Sequence, residues 1–349
     1  MQPSLNLFDR LVELTAVNGF VHPFKIEMYL LHAILKNWNN SFRNFQSDIL
    51  PSSLVNRIDG YVRKTNVVQP NIATYTIILD AAAHCEIPDE RISFTEKLLE
   101  RLIQECETNE LVRPTNVTFG AVINAWAKSG NSEASEKAEA LLRKIQALNG
   151  SDGWTQIKPN VILYTSVING YAKTGNPDRA ELLLREMYEQ FTLDGNCDVK
   201  PNRRTFNTVL AAWSKSVAPN AGQAAQSLLR KMQQLGEEGI LDTKPDVISY
   251  NTVLNAMARK GNESSVVDCA EALLAEMINL VDSSDDSSVS PNKVTLATIV
   301  RLIVWSSMDV STKLHRIQNI VEMMMERGVS PPPRILEQVH RLKQQAHEC

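Results

Sequence analysis

Two columns of mostly small hydrogen-bonding residues recur along the chain at regular spacing. The first column directly follows an aromatic residue or a leucine, and its members are His32, Thr76, Gly120, Thr165, Asn207, Asn251 and Ala297. The second directly follows a proline, and its members are Asn71, Thr115, Asn160, Asn202, Asp246, Asn292 and Pro332. Asn, Asp and Thr side chains can hydrogen-bond the base edges that single-stranded RNA exposes. The same residue types also cap helices, and capping is the stronger interpretation of any single one of them.

A third column carries positive charge. Its members are Lys128, Lys173, Lys215 and Arg259, with His84 in the same register of the preceding segment. A cation near a helix C-terminus is stabilised by about 0.3–1 kcal/mol, so helix stability alone is one explanation of this column. Contact with four phosphates of a single strand is the other, and it predicts a slope of roughly −2.8 for log K against log salt. The sequence alone leaves both interpretations open.

These columns belong to an internal repeat with two blocks. The first block contains an aromatic slot, and successive slots lie 40 to 46 residues apart, at Leu31, Tyr75, Phe119, Tyr164, Phe206, Tyr250, Leu296 and Leu336. The second block has roughly the form A-E-x-L-L-x-x-M, as in residues 180–187. Apolar residues at i, i+3, i+4 and i+7 predict that each block is a helix with one buried stripe.

The residues between the two blocks predict a helical hairpin. Gly175 can end the first helix in a left-handed conformation. Asn176, Pro177 and Asp178 then supply an N-cap, a first-turn proline and a negative charge near the positive end of the next helix. One hairpin cannot bury its apolar faces alone, whereas stacked copies share a continuous core. We therefore predict an all-α, right-handed α-solenoid of about seven helix-turn-helix repeats plus a terminal helix.

The combined blocks resemble the pentatricopeptide repeat (PPR) family over about residues 28–332. The family repeat is usually about 35 residues long, and we expect the extra length here mainly after the second helix, in exposed loops such as 194–196 and 283–288. The resemblance implies an N-terminal helical cap or partial repeat and a C-terminal capping helix around the repeats. The expected bounds are 1–27 for the cap, 28–71, 72–115, 116–160, 161–202, 203–246, 247–292 and 293–332 for the repeats, and 333–349 for the last helix.

In the family, the two polar columns together select one nucleotide per repeat. The selectors that the resemblance implies are Thr165 with Asn202 for adenine, Asn207 with Asp246 for uracil, and Asn251 with Asn292 for a pyrimidine, chiefly cytosine. The pairs that depart from the family pattern are Thr76 with Thr115 and Gly120 with Asn160. The resemblance also implies phosphate contacts by the cation column. It implies base-wedging aliphatic side chains at Val117, Ile162, Ile248 and Val294.

Composition and the absence of common motifs restrict the function classes. The net charge of −4 excludes a strongly basic field, so a polyanion would need a local basic stripe. Five scattered cysteines without CxxC spacing disfavour a disulfide framework or a zinc finger. The sequence contains no GxSxG, GxxxxGK or HExxH motif and no apolar run that could span a bilayer. We therefore expect no enzymatic activity, no cofactor, no metal, no small-molecule substrate and no membrane insertion.

The function expected from the residues and the resemblance is sequence-selective binding of single-stranded RNA. The resemblance implies a role in organellar RNA processing, stability or translation without catalysis. It places the protein in a mitochondrion or plastid, although no leader is visible and the cytoplasm or nucleus stays open. The alternative is an α-solenoid scaffold for protein partners. The net charge of −4 and the irregular pairs towards both ends of the array favour that alternative.

Overall fold

The computed structural model describes residues 71–83, 88–148, 157–259, 263–284 and 287–348. Within these ranges the chain forms thirteen α-helices and no strand. The predicted N-terminal cap and the first repeat lie outside the described residues, as do Leu31, His32 and His84. The helices are α1 (Ile72–Ala82), α2 (Pro88–Cys106), α3 (Asn116–Ser129), α4 (Ser132–Leu148), α5 (Val161–Thr174), α6 (Pro177–Leu193), α7 (Arg203–Lys215), α8 (Ala221–Glu237), α9 (Val247–Ala258), α10 (Ser264–Ser284), α11 (Lys293–Trp305), α12 (Val310–Glu326) and α13 (Pro333–Glu348).

The helices alternate between two packing roles, and the chain divides into two compact units within α5, Met1–Gly170 and Tyr171–Cys349. In the first unit α1 packs on α3, and α2 packs on both. In the second unit α7 packs on α9 and α9 on α11, while α8 and α10 each pack on the odd-numbered helix before and after them. Within each unit, neighbouring hairpins therefore cover each other's apolar faces, and the predicted all-α helical-repeat solenoid class is confirmed.

The aromatic slot forms the centre of this packing. The side chains at 75, 119, 164, 206, 250 and 296 are all 3% exposed or less. In α13 the slot differs, because Leu336 is 53% exposed and Ile335 is the buried residue. In earlier repeats this face of the helix is covered by the next hairpin. No described helix follows α13, and its corresponding face is exposed.

The predicted hairpin turn is confirmed between α5 and α6. Gly175 has a φ of 70°, which only glycine adopts without steric cost. The Asn176 side chain accepts the backbone N–H of Arg179 at 3.3 Å, and Pro177 occupies the first turn of α6. Local sequence alone therefore sets where one helix ends and the next begins.

The extra repeat length is divided between longer even-numbered helices and an anchored linker. The even-numbered helices have 17 to 21 residues, and α10 runs to Ser284, so the expected loop at 283–288 begins as helix. Three linkers then form a short 3-10 turn whose last residue is a buried valine two positions before the proline. These valines are Val112, Val199 and Val289, with exposures of 0–4%. Thr243 is also fully buried at this position, and its Oγ1 donates to the carbonyl of Met232 at 3.0 Å.

A polar cluster crosses from α8 to α10 around the hydroxyl of Tyr250. This hydroxyl donates to Glu276 at 2.7 Å and accepts from Gln233 at 2.8 Å. Arg230 also pairs with Glu276 at 2.7 Å, and Gln233 donates to the same carboxylate. Burial alone would raise the pKa of Glu276, but the hydrogen bonds from Tyr250, Arg230 and Gln233 outweigh it and lower that pKa below 4.5.

This cluster predicts an acid-sensitive contribution to stability. Because the folded-state pKa of Glu276 is lowered, its contribution is complete above its ordinary pKa of 4.5 and is lost as the pH falls through the lower folded value. We expect Glu276→Gln to lower the free energy of unfolding at neutral pH and to flatten its decline below pH 4.5. Urea unfolding across this range measures both effects. Glu322→Gln, at an exposed position of α12, is the control, and equal pH profiles for the two variants would contradict the assignment.

Candidate nucleic-acid interface

At six of the seven positions that follow a linker proline, the residue lies at the start of an odd-numbered helix and its side chain acts as an N-cap, whereas Pro332 has no side-chain acceptor for this role. Thr115, Asn202, Asp246 and Asn292 each accept a backbone N–H from the first turn of their helices. Asn71 and Asn160 accept from the first turns of α1 and α5 in the same way. The cap interpretation is therefore confirmed for this column. An asparagine cap uses its oxygen for this purpose, so its Nδ2 group can still donate elsewhere.

The predicted uracil selectors lie side by side in the second unit. Asn207 Nδ2, on α7, donates to Asp246 Oδ1 at the start of α9 over 3.3 Å. Ser249 Oγ donates to Asn207 Oδ1 at 2.6 Å and lies 3.0 Å from Asp246 Oδ1. Arg203 Nη1 approaches the other oxygen, Asp246 Oδ2, at 3.9 Å. One residue from each column thus meets across neighbouring repeats.

The next pair repeats this arrangement. Asn251 Nδ2, on α9, donates to Asn292 Oδ1 at the start of α11 over 3.4 Å. Thr295 Oγ1 donates to Asn251 Oδ1 at 2.8 Å. Asn251 is only 8% exposed and Thr295 is fully buried. The amide of Asn251 is therefore held in a defined orientation at the edge of the core.

The first unit contains two pairs with different chemistry. Thr76 Oγ1 donates to the carbonyl of Ile72 at 2.8 Å and contacts Thr118 Oγ1 at 3.2 Å. Thr118 Oγ1 in turn lies 3.2 Å from Thr115 Oγ1. Three hydroxyl groups thus replace the amides and carboxylate of the second unit.

The second of these pairs has one side chain only. Gly120 contributes none, and a Cβ atom added there would lie 3.6 Å from Leu163 Cδ2. Asn160 accepts the backbone N–H of Leu163 at 3.0 Å, so it caps α5. The remaining predicted pair, Thr165 with Asn202, is divided between the two units. Thr165 is partly buried on α5, and Asn202 caps α7.

Exposed aliphatic side chains accompany the polar pairs. The predicted base-wedging residues Val117, Ile162, Ile248 and Val294 are 68%, 66%, 59% and 53% exposed. Each lies in the first turn of an odd-numbered helix, two positions after the capping residue. Exposed apolar side chains beside fixed polar groups are suited to pack against the faces of bases. Ala73 and Arg204, which occupy the same position in α1 and α7, are also exposed.

The cation column lies at the opposite ends of the same helices. Lys128 is partly buried near the end of α3, and Lys173 and Lys215 are exposed near the ends of α5 and α7. Arg259 follows α9, and its Nη1 donates to the carbonyl of Ser214 on α7 at 3.1 Å. Each cation is eight residues beyond the first polar column, which corresponds to about 12 Å along a helix.

A buried hydroxyl between the two polar columns is a feature of the candidate site that was not predicted from the sequence. It belongs to the residue just before the aromatic slot, and Thr118, Ser249 and Thr295 are all fully buried there. The sequence signal was a Thr or Ser recurring in one register. Its partner on the preceding repeat could not be identified without the packing of neighbouring helices.

The geometry defines the chain as a helical-repeat protein with paired polar side chains along its odd-numbered helices. A pentatricopeptide-repeat family model matches residues 155–188. The pentatricopeptide repeat-containing protein At5g25630 of Arabidopsis thaliana is 30% identical over 168 residues, which cover 48% of this chain and 25% of that protein. A chloroplastic relative, At5g48730 of the same plant, is 24% identical over 42% of this chain and 24% of its own length.

Solved structures of the maize pentatricopeptide repeat protein PPR10 are also similar. The free protein gives 18% identity and a TM-score of 0.33 over 98% of this chain and 54% of that chain. PPR10 in complex with an 18-nucleotide psaJ RNA element gives 17% identity and a TM-score of 0.37 over 98% and 55%. This chain spans about a quarter of the length of the Arabidopsis relatives named above. The chain thus contains a pentatricopeptide-repeat match at residues 155–188 and is similar to pentatricopeptide repeat proteins over about half of its length.

No helix in the described ranges is long and apolar enough to cross a membrane. In the same part of the chain, no group of three or more His, Cys, Asp or Glu side chains is arranged to hold a metal ion.

Proposed function

We propose that this protein binds single-stranded RNA along its odd-numbered helices, with one nucleotide at each polar pair, and that it acts without catalysis of its own. The observation that carries the proposal is the direct hydrogen bond between the two selector residues in two successive repeats, Asn207 to Asp246 and Asn251 to Asn292. An unoccupied pair held in this way presents donors and acceptors in fixed positions, which is what recognition of a base edge requires.

The hydrogen-bond donor and acceptor that the Asn207 and Asp246 pair offers are complementary to those of uracil. Asn207 Nδ2 has two protons and gives one to Asp246, so the second can be donated to a base. Asp246 Oδ2, 3.9 Å from Arg203, can accept. Uracil offers the complementary combination, because a carbonyl acceptor lies next to its N3–H donor. Cytosine has an acceptor at N3 where uracil has its donor, so a carboxylate that faces N3 is satisfied by uracil and repelled by cytosine.

The Asn251 and Asn292 pair presents donors only, and so favours cytosine. Asn292 Oδ1 accepts from the backbone N–H groups of Val294 and Thr295 and from Asn251. The nitrogen atoms of both amides therefore stay available to a ligand. The N3 and O2 atoms of cytosine are adjacent acceptors that two donors can satisfy.

The hydroxyl pair of the first unit is expected to discriminate weakly. Thr76 gives its proton to the carbonyl of Ile72, and Thr115 can give its own to Thr118. Both then offer lone pairs to a base, and all four bases have edge donors for those lone pairs. Gly120 offers no side chain, so its nucleotide is also expected to vary. Adenine selection by Thr165 with Asn202 stays a prediction from the sequence.

A swap of selectors tests the proposal. We expect Asn207→Thr combined with Asp246→Asn to change the preference at one nucleotide from uracil to adenine, by about tenfold or more, since a well-placed pair of hydrogen bonds discriminates by ~1–3 kcal/mol. Selection from a randomised RNA pool identifies the site. Titrations with RNAs that differ at that one nucleotide then measure the preference.

The nucleotide next to it is the internal control, because the Asn251 and Asn292 pair is unchanged in the swapped variant. Its preference for cytosine should persist. An unchanged preference at the first nucleotide would contradict base selection by Asn207 and Asp246. Failure of the unmodified protein to enrich any RNA would instead favour the scaffold alternative.

We also propose a role in RNA processing, stability or translation within a mitochondrion or plastid. The support is the similarity to pentatricopeptide repeat proteins, one of which is named as chloroplastic. Imaging of the full-length protein with a C-terminal fluorescent tag tests the location, and a signal confined to the cytoplasm or nucleus would contradict it.

A further inference from the structure

We infer that the buried hydroxyl groups of Ser249 and Thr295 determine base selectivity in the preceding repeats. They do so by fixing which edge of Asn207 and Asn251 faces the nucleotide. They are positioning residues, because each acts through an amide and neither needs to touch RNA. The inference rests on the proposed RNA-binding function and concerns the same polar pairs.

The direction of the hydrogen bonds around Ser249 follows from what each group can do. Ser249 Oγ accepts the backbone N–H of Asp246 at 3.1 Å, which is one half of a capping box. Its own proton can therefore go to Asn207 Oδ1, 2.6 Å away. Asp246 Oδ1, 3.0 Å from the same hydroxyl, is the competing acceptor. Because the contact with Asn207 is the shorter one, we assign the proton to it, which makes the Asn207 atom facing Ser249 the oxygen and places Nδ2 beside Asp246.

Thr295 acts on Asn251 in the same way. Its Oγ1 accepts the backbone N–H of Asn292 at 3.0 Å and donates to Asn251 Oδ1 at 2.8 Å. Both hydroxyl residues are fully buried, so water does not compete for these bonds. A rotation of either amide by 180° would bring an N–H group towards the hydroxyl and a carbonyl towards the cap oxygen, which breaks two hydrogen bonds at once.

The repeat that begins at α5 lacks this arrangement. Leu163 occupies the position of the buried hydroxyl residue, and Gly120 lies opposite it, so neither the hydroxyl nor the amide is present. The hydroxyl of Thr118 contacts the hydroxyl of Thr76. A hydroxyl, unlike an amide, does not have a donor atom and a separate acceptor atom whose positions could be exchanged. Orientation by the hydroxyl therefore applies to the pairs of the second unit that contain an amide in the first column.

The consequence is a separation between affinity and selectivity. Without the hydroxyl, only the hydrogen bond to Asp246 orients the amide of Asn207, so the carbonyl can face the base as well as the N–H and the preference between bases falls. The cations and aliphatic side chains that contribute to affinity are unaffected. Loss of the hydroxyl should therefore remove a preference while most of the binding remains.

The test compares Ser249→Ala with Ser249→Thr in the full chain. RNAs that carry uracil or cytosine at the nucleotide facing Asn207 are titrated, together with RNAs that vary the nucleotide facing Asn251. We expect Ser249→Ala to reduce the uracil preference from about tenfold to less than about threefold, and Ser249→Thr to retain it. The cytosine preference at the neighbouring nucleotide should be the same in both variants.

Thr295→Val provides the second arm, because valine keeps the shape of threonine without the hydroxyl. It should reduce the preference at the Asn251 nucleotide and leave the Asn207 nucleotide unchanged. Full preference in both Ser249→Ala and Thr295→Val would overturn the inference while the proposed function stands. Absence of any base preference in the unmodified protein would overturn both. A merely structural role would lower thermal stability and reduce both preferences together, and that result would also overturn the inference.

Discussion

Reversal of charge at Lys173, Lys215 and Arg259 is expected to remove most of the RNA affinity at low salt. These cations follow one register at the ends of α5, α7 and α9. If each neutralises one phosphate of a single strand, log K falls with log salt with a slope of roughly −2.1. Between about 0.05 and 1 M salt, this slope corresponds to a loss on the order of several hundredfold. We expect the triple glutamate variant to lose about that factor at the low-salt end.

Binding isotherms over a salt series measure this prediction, and the slope is the decisive quantity. In the variant it should fall from roughly −2.8 to roughly −0.7, because Lys128 alone then remains of the four cations in the column. Helix stability needs a separate check, since replacing a cation at a helix C-terminus also costs about 0.3–1 kcal/mol. Thermal unfolding of the variant establishes a temperature at which it is folded, and the titrations are made well below it.

Arg185, Lys231 and Lys313 provide a matched control. They lie on the even-numbered helices α6, α8 and α12, and their replacement by glutamate changes the net charge by the same amount. If binding depends on the register of the cations, the control variant should keep nearly the full slope. Equal losses in the two variants would show that net charge, and not the column, governs association.

Phe206→Ala is expected to have the largest effect on stability. Phe206 fills the aromatic slot of α7 and is 1% exposed. It already borders a cavity of about 40 Å³ that is also lined by Leu184, Tyr188 and Leu228, so truncation enlarges an existing void. Burial of this kind predicts a loss of about 3–5 kcal/mol in the free energy of unfolding. Denaturant unfolding monitored by circular dichroism measures it.

Phe206→Leu is the control, because a swap that nearly conserves volume costs less than about 1.5 kcal/mol. Each repeat in such an array is stabilised mainly by its immediate neighbours. The alanine variant should therefore also unfold less cooperatively, with the second unit affected first. A loss below about 1 kcal/mol would mean that the aromatic slot does not form the core of the repeat.

Features that depend on a few consecutive residues could be predicted from the sequence. Gly175, Asn176 and Pro177 define a helix end and a helix start through backbone preferences and a local hydrogen bond, and the structure shows both. The odd- and even-numbered helices follow from the 3.6-residue period of their apolar positions. The capping role of Asp246 follows from its place after a proline and before a helix.

Features that depend on packing between repeats could not be predicted in the same way. Ser249 is buried by packing between repeats, and its hydrogen bond to Asn207 joins residues 42 positions apart in the sequence. The exposure of Leu336 reflects which helices pack around it, not the residue type. Sequence periodicity identified the two polar columns. Only the geometry shows that the side chains of Asn207 and Asp246 are in contact.

The buried valine that precedes three of the linker prolines gives this protein a convenient place for engineering. Val199 anchors the chain just before α7, while residues 192–195, at the end of α6 and just after it, are exposed. Because Val199 holds the chain in place, an insertion in the exposed segment before it should not move the start of α7. A peptide epitope or a fluorophore inserted at Gly195 should leave the geometry of Asn207 unchanged, so RNA capture could be followed on the working protein in real time.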